Sequence, residues 1–130
     1  MKLDPLLLGL LYLSAAVNLA WGLFALVAPH RAGEILHLTP TSGRGLSELR
    51  AVYGGAVGML GVLTAVALRR PDGSAWLALM GLAFCGLALG RLVSLATDPD
   101  KGYSALVVAL ELGFAALLLY AARRPLFPAD

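Results

Sequence analysis

Charge is scarce in this chain, and cysteine nearly absent. Of 130 residues, 14% are charged and 8% aromatic, with one cysteine and two histidines, whereas about a quarter of an ordinary soluble domain is charged. One cysteine can neither close an internal disulfide nor build a CxxC metal or redox motif. The two histidines, His30 and His37, lack metal-ligand spacing and read as interfacial side chains. There is no Ser/His/Asp arrangement, no phosphate-cradling glycine loop and no cofactor fingerprint. The sequence therefore assigns no catalytic residue, metal or cofactor. The net charge of +2 is no sign of a nucleic-acid partner, because the basic residues flank apolar runs, where membrane topology accounts for them. Nucleic acid is excluded as a partner.

What abounds is apolar: 59% of the residues are hydrophobic and mean hydropathy is +0.81. A span needs about 20 apolar residues, so four spans would consume most of the chain and leave no room for a soluble domain. The reading is a single all-α transmembrane domain over 1–130, an up-down-up-down four-helix bundle. Its spans fall at about 5–28, 48–68, 75–97 and 103–122, with an interfacial connector at 29–46. The first run is too long for a signal-peptide core and ends at Ala28-Pro29-His30 without a clear small-x-small cleavage site, so it is expected to be retained. In the connector, His30 to Leu38 is expected to form an amphipathic turn or two at the interface, and Thr39-Pro40-Thr41-Ser42-Gly43 to break any helix. Ser47 is the expected N-cap of the second span, with Glu48 against the positive helix end. Pro71-Asp72-Gly73-Ser74 and Asp98-Pro99-Asp100-Lys101-Gly102 have turn compositions.

Basic residues set the orientation. Lys2, Arg69, Arg70, Arg123 and Arg124 gather on the side of both termini, and Arg31, Arg44 and Lys101 on the other, with Arg50 just inside the helix. Both termini are expected to be cytoplasmic, in the cell inner (cytoplasmic) membrane.

Charges within spans carry the functional information, since each costs a few kcal/mol near the bilayer centre and faces a partner or cavity. Arg50 opens the second span, Arg91 lies late in the third, and Glu111 stands early in the fourth. Alternating directions place all three in the half of the membrane away from the termini. Arg91 and Glu111 lie at matching depths of roughly 10 Å, so a bidentate guanidinium–carboxylate contact is expected. Its bland alternative is a staple that fixes helix register. Arg50, Tyr53, Gly54, Val57, Gly58, Gly61 and Thr64 recur at helical steps as a small and polar stripe, and Gly54-x-x-x-Gly58 has the form typical of helix contacts in lipid. Ser14, Asn18, Gly22 and Ala25 make a similar face on the first span, with Asn18 the notable amide. In the third span Ser94 and Asp98 share the face of Arg91, Gly86-x-x-x-Gly90 lies one turn deeper, and Cys85 reads as a small core residue.

With these residues in view, the chain resembles a bacterial family of small four-span membrane proteins described as a domain of unknown function, number four-three-four-five. The resemblance rests on Glu48-Leu49-Arg50-Ala51-Val52-Tyr53-Gly54-Gly55, on Gly90-Arg91-Leu92-Val93 and on Glu111, and covers about Leu6 to Ala122. It implies the four-span fold and a shared polar cluster, and no reaction.

The functional expectation is a ligand pocket in the outer half of the bundle, lined by Asn18, Arg50, Tyr53, Arg91 and Glu111 with Glu48 at its mouth. Its ligand would be a small amphiphile, such as a lipid headgroup or a quinone-like molecule, held by the arginines. Besides the lipid bilayer, the alternative partner is another membrane protein or a second copy packed on the glycine faces. A third reading is an intramembrane enzyme or proton-coupled transporter using Glu111.

Overall fold

The computed structural model describes residues 3–97, 102–124 and 126. Every regular element among them is helical: α1 (Pro5–Val27), α2 (Pro29–Ile35), α3 (Gly43–Leu49), a π-helical segment (Arg50–Ala56), α4 (Val57–Ala67), α5 (Gly73–Thr97) and α6 (Gly102–Ala122). Four helical stretches are long and apolar enough to cross a bilayer: Pro5–Val27, Gly43–Ala67, Gly73–Thr97 and Ala105–Ala122. No more than 33% of any of these is buried within the protein. The rest presents side chains such as Leu6, Leu79 and Leu89 outward, while Ser14, Asn18, Thr64 and Glu111 are buried. Apolar outside and polar inside is the arrangement that lipid selects. This is an all-α, multi-pass membrane protein in a lipid bilayer.

Local chemistry explains the helix ends. Asp4 accepts from the amides of Leu6 and Leu7 at 2.9 and 3.2 Å, satisfying two N–H groups that the first turn leaves without partners. The second span begins earlier than expected. Ser42, in extended backbone, accepts from Gly45 N at 3.3 Å and caps a helix starting at Gly43. Ser47 and Glu48 are thereby moved inside the helix, one turn beyond the cap. The expected amphipathic segment after the first span is the two-turn α2, which ends in a Schellman motif: Leu38 N donates to Gly33 O, and His37 N to Glu34 O. That motif needs a left-handed residue, and His37 supplies it at φ 53°.

Contacts divide the chain into two compact units, Tyr12–Ala65 on one hand and Met1–Leu11 with Val66–Asp130 on the other. In the first, α1 meets the second span through glycines. A Cβ on Gly22 would collide with Gly58 Cα and lie 2.8 Å from Gly54 O, and one on Gly61 would lie 2.6 Å from Ala15 O. The small-residue stripe from Gly54 to Gly61 is thus consumed by α1 of the same chain. Its partners run from Leu26 opposite Gly54 to Ala15 opposite Gly61, so the helices are antiparallel.

In the second unit α5 and α6 are antiparallel as well. Arg91 meets Glu111, Phe84 stacks on Phe114 at 5.3 Å, and Ser74 bonds the carbonyl of Arg124. A Cβ on Gly81 would sit 2.7 Å from the Leu119 side chain, which fills the space glycine leaves. Pro71 and Asp72 lie in the tight turn expected before α5, but Gly73 and Ser74 are already its first turn. The second expected turn, Asp98 to Lys101, lies outside the described residues.

Candidate functional site

Arg91 and Glu111 come together as their matching depth requires. Arg91 Nε donates to Glu111 Oε1 at 2.8 Å, with the arginine side chain 22% and the glutamate side chain 9% exposed. Deeper in the same helix pair, Phe84, two turns before Arg91, packs against Phe114, one turn after Glu111, and fixes the register of the two helices. The pair differs from the expected bidentate contact in one respect. Glu111 Oε2 is buried and accepts no hydrogen bond; side-on approach through Nε, rather than through the guanidinium fork, leaves it without a donor. Leaving a buried acceptor unmet costs about 1–3 kcal/mol, more for a charged group, and lipid offers nothing to offset it.

The other candidate residues belong to the Tyr12–Ala65 unit. Asn18 is buried, and its amide donates to Ser14 O one turn back, at 2.9 Å. The side chain therefore meets its own helix. Arg50 is exposed, and its Nε donates to Leu26 O at 3.3 Å. Leu26 is in the last turn of α1, where carbonyls lack helical partners and a cation is favoured. Arg50 is used there as a helix-end cap. It departs from the buried glycine stripe because the segment Arg50–Ala56 is π-helical: bonds closing over five residues instead of four rotate the positions on either side.

Tyr53 and Glu48 share a shallow groove of about 350 Å³ with Pro40, Leu49 and Val52. Beside it a second depression, of about 380 Å³, is lined by His30, Glu34 and His37. The turn Leu38–Thr39–Pro40 borders both. No cluster of His, Cys, Asp or Glu among the described residues could hold a metal ion.

A feature not anticipated from the sequence is the polar end of the α5–α6 unit. Arg70 grips Asp72 through Nε and Nη2 at 2.7 and 3.1 Å, and Trp76 Nε1 donates to the same carboxylate at 3.0 Å. Bonded by both donors, the Asp72 carboxyl is lowered from its ordinary 3.8 to about 2. Asp72 and Trp76 are four residues apart, a spacing at which helical side chains meet, and that spacing was the available signal.

No curated protein and no solved structure matches the chain. The sequence profile of one family does, over residues 6–122, a range that contains both helices of the Arg91–Glu111 pair and the Glu48–Gly55 string. The chain belongs to the family described as Domain of unknown function (DUF4345).

Proposed function

We propose that this protein binds a small amphiphile whose polar head engages the Arg91–Glu111 pair while its apolar part lies along the lipid-facing helices. One observation carries the reading: Glu111 Oε2 is a buried acceptor with no donor, beside an arginine side chain that remains 22% exposed. A head carrying a hydroxyl, amide or amine N–H would supply the missing donor, and the arginine would accommodate a carbonyl or anionic oxygen. The pair is neutral as a whole, so a neutral or zwitterionic amphiphile can be taken up without importing uncompensated charge. The setting we propose is the inner membrane, with both termini cytoplasmic and the pair in the outer half.

The test is native mass spectrometry of the protein gently extracted from its own membrane. Wild type is compared with an Arg91→Met/Glu111→Leu double variant, which replaces the pair by apolar groups of similar volume. A stoichiometric small-molecule mass present in wild type and missing from the variant supports the reading; equal retention in both ends it.

A second reading, assembly with another copy or another membrane protein, is favoured by one observation. A Cβ added at Gly86 or Gly90 would touch nothing, whereas Gly54, Gly58 and Gly61 are already covered by α1. The open Gly86-x-x-x-Gly90 face of α5 suits such a contact, and Gly86→Leu/Gly90→Leu should abolish it while leaving the monomer folded.

A further inference from the structure

Four arginines converge at one end of the α5–α6 unit. Ser74 Oγ donates to Arg124 O at 3.4 Å, joining the first turn of α5 to the end of α6. Gly73 packs so closely on Leu126 that a Cβ would lie 2.7 Å from its Cδ1. This knits the Arg69-Arg70 turn and the Arg123-Arg124 terminus into one polar cap, and all four arginines are exposed. Among the described residues the acid that pairs with an arginine of the cap is Asp72, and it is occupied by Arg70 and Trp76.

The four do not play the same part. Arg70 lies over the Trp76 ring at 5.1 Å and Arg124 over the Tyr120 ring at 4.8 Å, and Arg124 also donates to the Tyr120 hydroxyl. Tryptophan and tyrosine settle at the headgroup level of a bilayer, so these stacks hold two guanidinium groups at that level. Arg69 and Arg123 have no hydrogen-bond or ion-pair partner among the described residues; their backbone amides only close the helix ends. Two unpaired, planar, five-donor cations beside two ordered ones make a surface that fits a phosphodiester, which guanidinium groups bind through paired N–H donors.

We infer that this cap is a binding site for the headgroup of an anionic glycerophospholipid in the adjacent leaflet, with Arg69 and Arg123 as the phosphate-binding side chains and Trp76 and Tyr120 setting the depth. A general attraction of basic residues to anionic membranes would depend only on how many charges are present. A built site depends on which arginines carry them. The proposal is independent of the Arg91–Glu111 reading, since it uses the opposite ends of the same helices.

The experiment is native mass spectrometry of the full chain released from nanodiscs of phosphatidylcholine doped with phosphatidylglycerol. Wild type is compared with Arg69→Gln/Arg123→Gln and with Arg31→Gln/Arg44→Gln, which loses the same charge from the other unit. Wild type should retain phosphatidylglycerol in preference to phosphatidylcholine. The first variant should lose roughly tenfold or more of that preference, and the second should keep it. Equal losses in both variants, or no preference in wild type, would overturn the inference. Should the first variant lose helicity, Arg69→Lys/Arg123→Lys takes its place: it keeps the charge but not the paired donors, so a reduced preference supports the site and an unchanged one overturns it.

Discussion

Glu111 is 7% exposed and accepts a hydrogen bond from Arg91 Nε at 2.8 Å, so the two residues cannot be removed independently. Arg91→Ala leaves a buried carboxylate without its counter-charge and should cost about 3–5 kcal/mol, visible as a lowered midpoint of thermal unfolding in detergent. Arg91→Met/Glu111→Leu removes both charges at similar volume and should unfold within about 1 kcal/mol of wild type. If both variants were equally destabilised, the pair would be contributing packing and not charge compensation. This contact was legible in the sequence because two charges at equal depth on consecutive spans have few other partners. Its side-on geometry was not, because rotation about the arginine's own bonds leaves no trace in residue spacing. His37 is a second case at this scale. It occupies the left-handed position of the α2 Schellman motif, which glycine adopts without steric cost. His37→Gly should therefore raise stability by about 0.5–1 kcal/mol in the same unfolding measurement. No glycine or asparagine announced this helix end, so only the break around Pro40 could be foreseen.

At the scale of elements, the small-residue stripe of the second span was readable, but its partner was not. Periodicity identifies a face and says nothing of what lies against it; here the answer is α1, through Gly22 at Gly58. Gly22→Ala places a methyl group in the backbone of the neighbouring helix and should destabilise by about 1–3 kcal/mol, whereas Gly86→Ala meets open space and should leave the thermal midpoint unchanged or slightly raised. Equal effects would mean that the close approach of α1 is not maintained. The start of the second span was misplaced by five residues, from Ser42 to Ser47, because both serines are plausible caps and an intervening Gly43-Arg44-Gly45 is a poor helix by propensity. The Arg70–Asp72–Trp76 turn supplies a pH prediction. The Asp72 carboxyl is lowered from 3.8 to about 2 in the folded chain. Its contribution is therefore fully present above about pH 4 and is lost as pH falls through about 2. In a Trp21→Phe background the fluorescence of Trp76 should change over that acid window. In Asp72→Asn the transition should vanish; its persistence would assign it to another group.

For the whole molecule, a bilayer is the medium that makes these placements consistent. No more than 33% of each apolar span is buried within the protein, and in water such a surface would be an aggregation hazard; in lipid it is the solvated face, and polar side chains turn inward. Composition alone fixed that much, since 14% charge cannot cover a soluble surface of this size. Direction is a finer matter, decided by the position of a few cations. The arginines at the Arg69-Arg70 turn and at Arg123-Arg124 belong to one knitted end of the α5–α6 unit, which concentrates the charge that orients a span. If this end faces the cytoplasm, Pro71, exposed in the turn before α5, lies inside the cell and Thr41, exposed before α3, lies outside. In a Cys85→Ser background a membrane-impermeant thiol reagent should label Thr41→Cys in intact cells and Pro71→Cys only after permeabilisation. The reverse pattern would invert the protein, place the arginine cap against the outer leaflet and move the Arg91–Glu111 pair to the cytoplasmic half. Substituting Arg69, Arg70, Arg123 and Arg124 together by glutamine removes the excess of basic residues on that side, leaving Arg31, Arg44 and Lys101 opposite Lys2. Labelling of Pro71→Cys should then appear in intact cells for a fraction of the molecules, as expected if these four side chains set the direction of insertion.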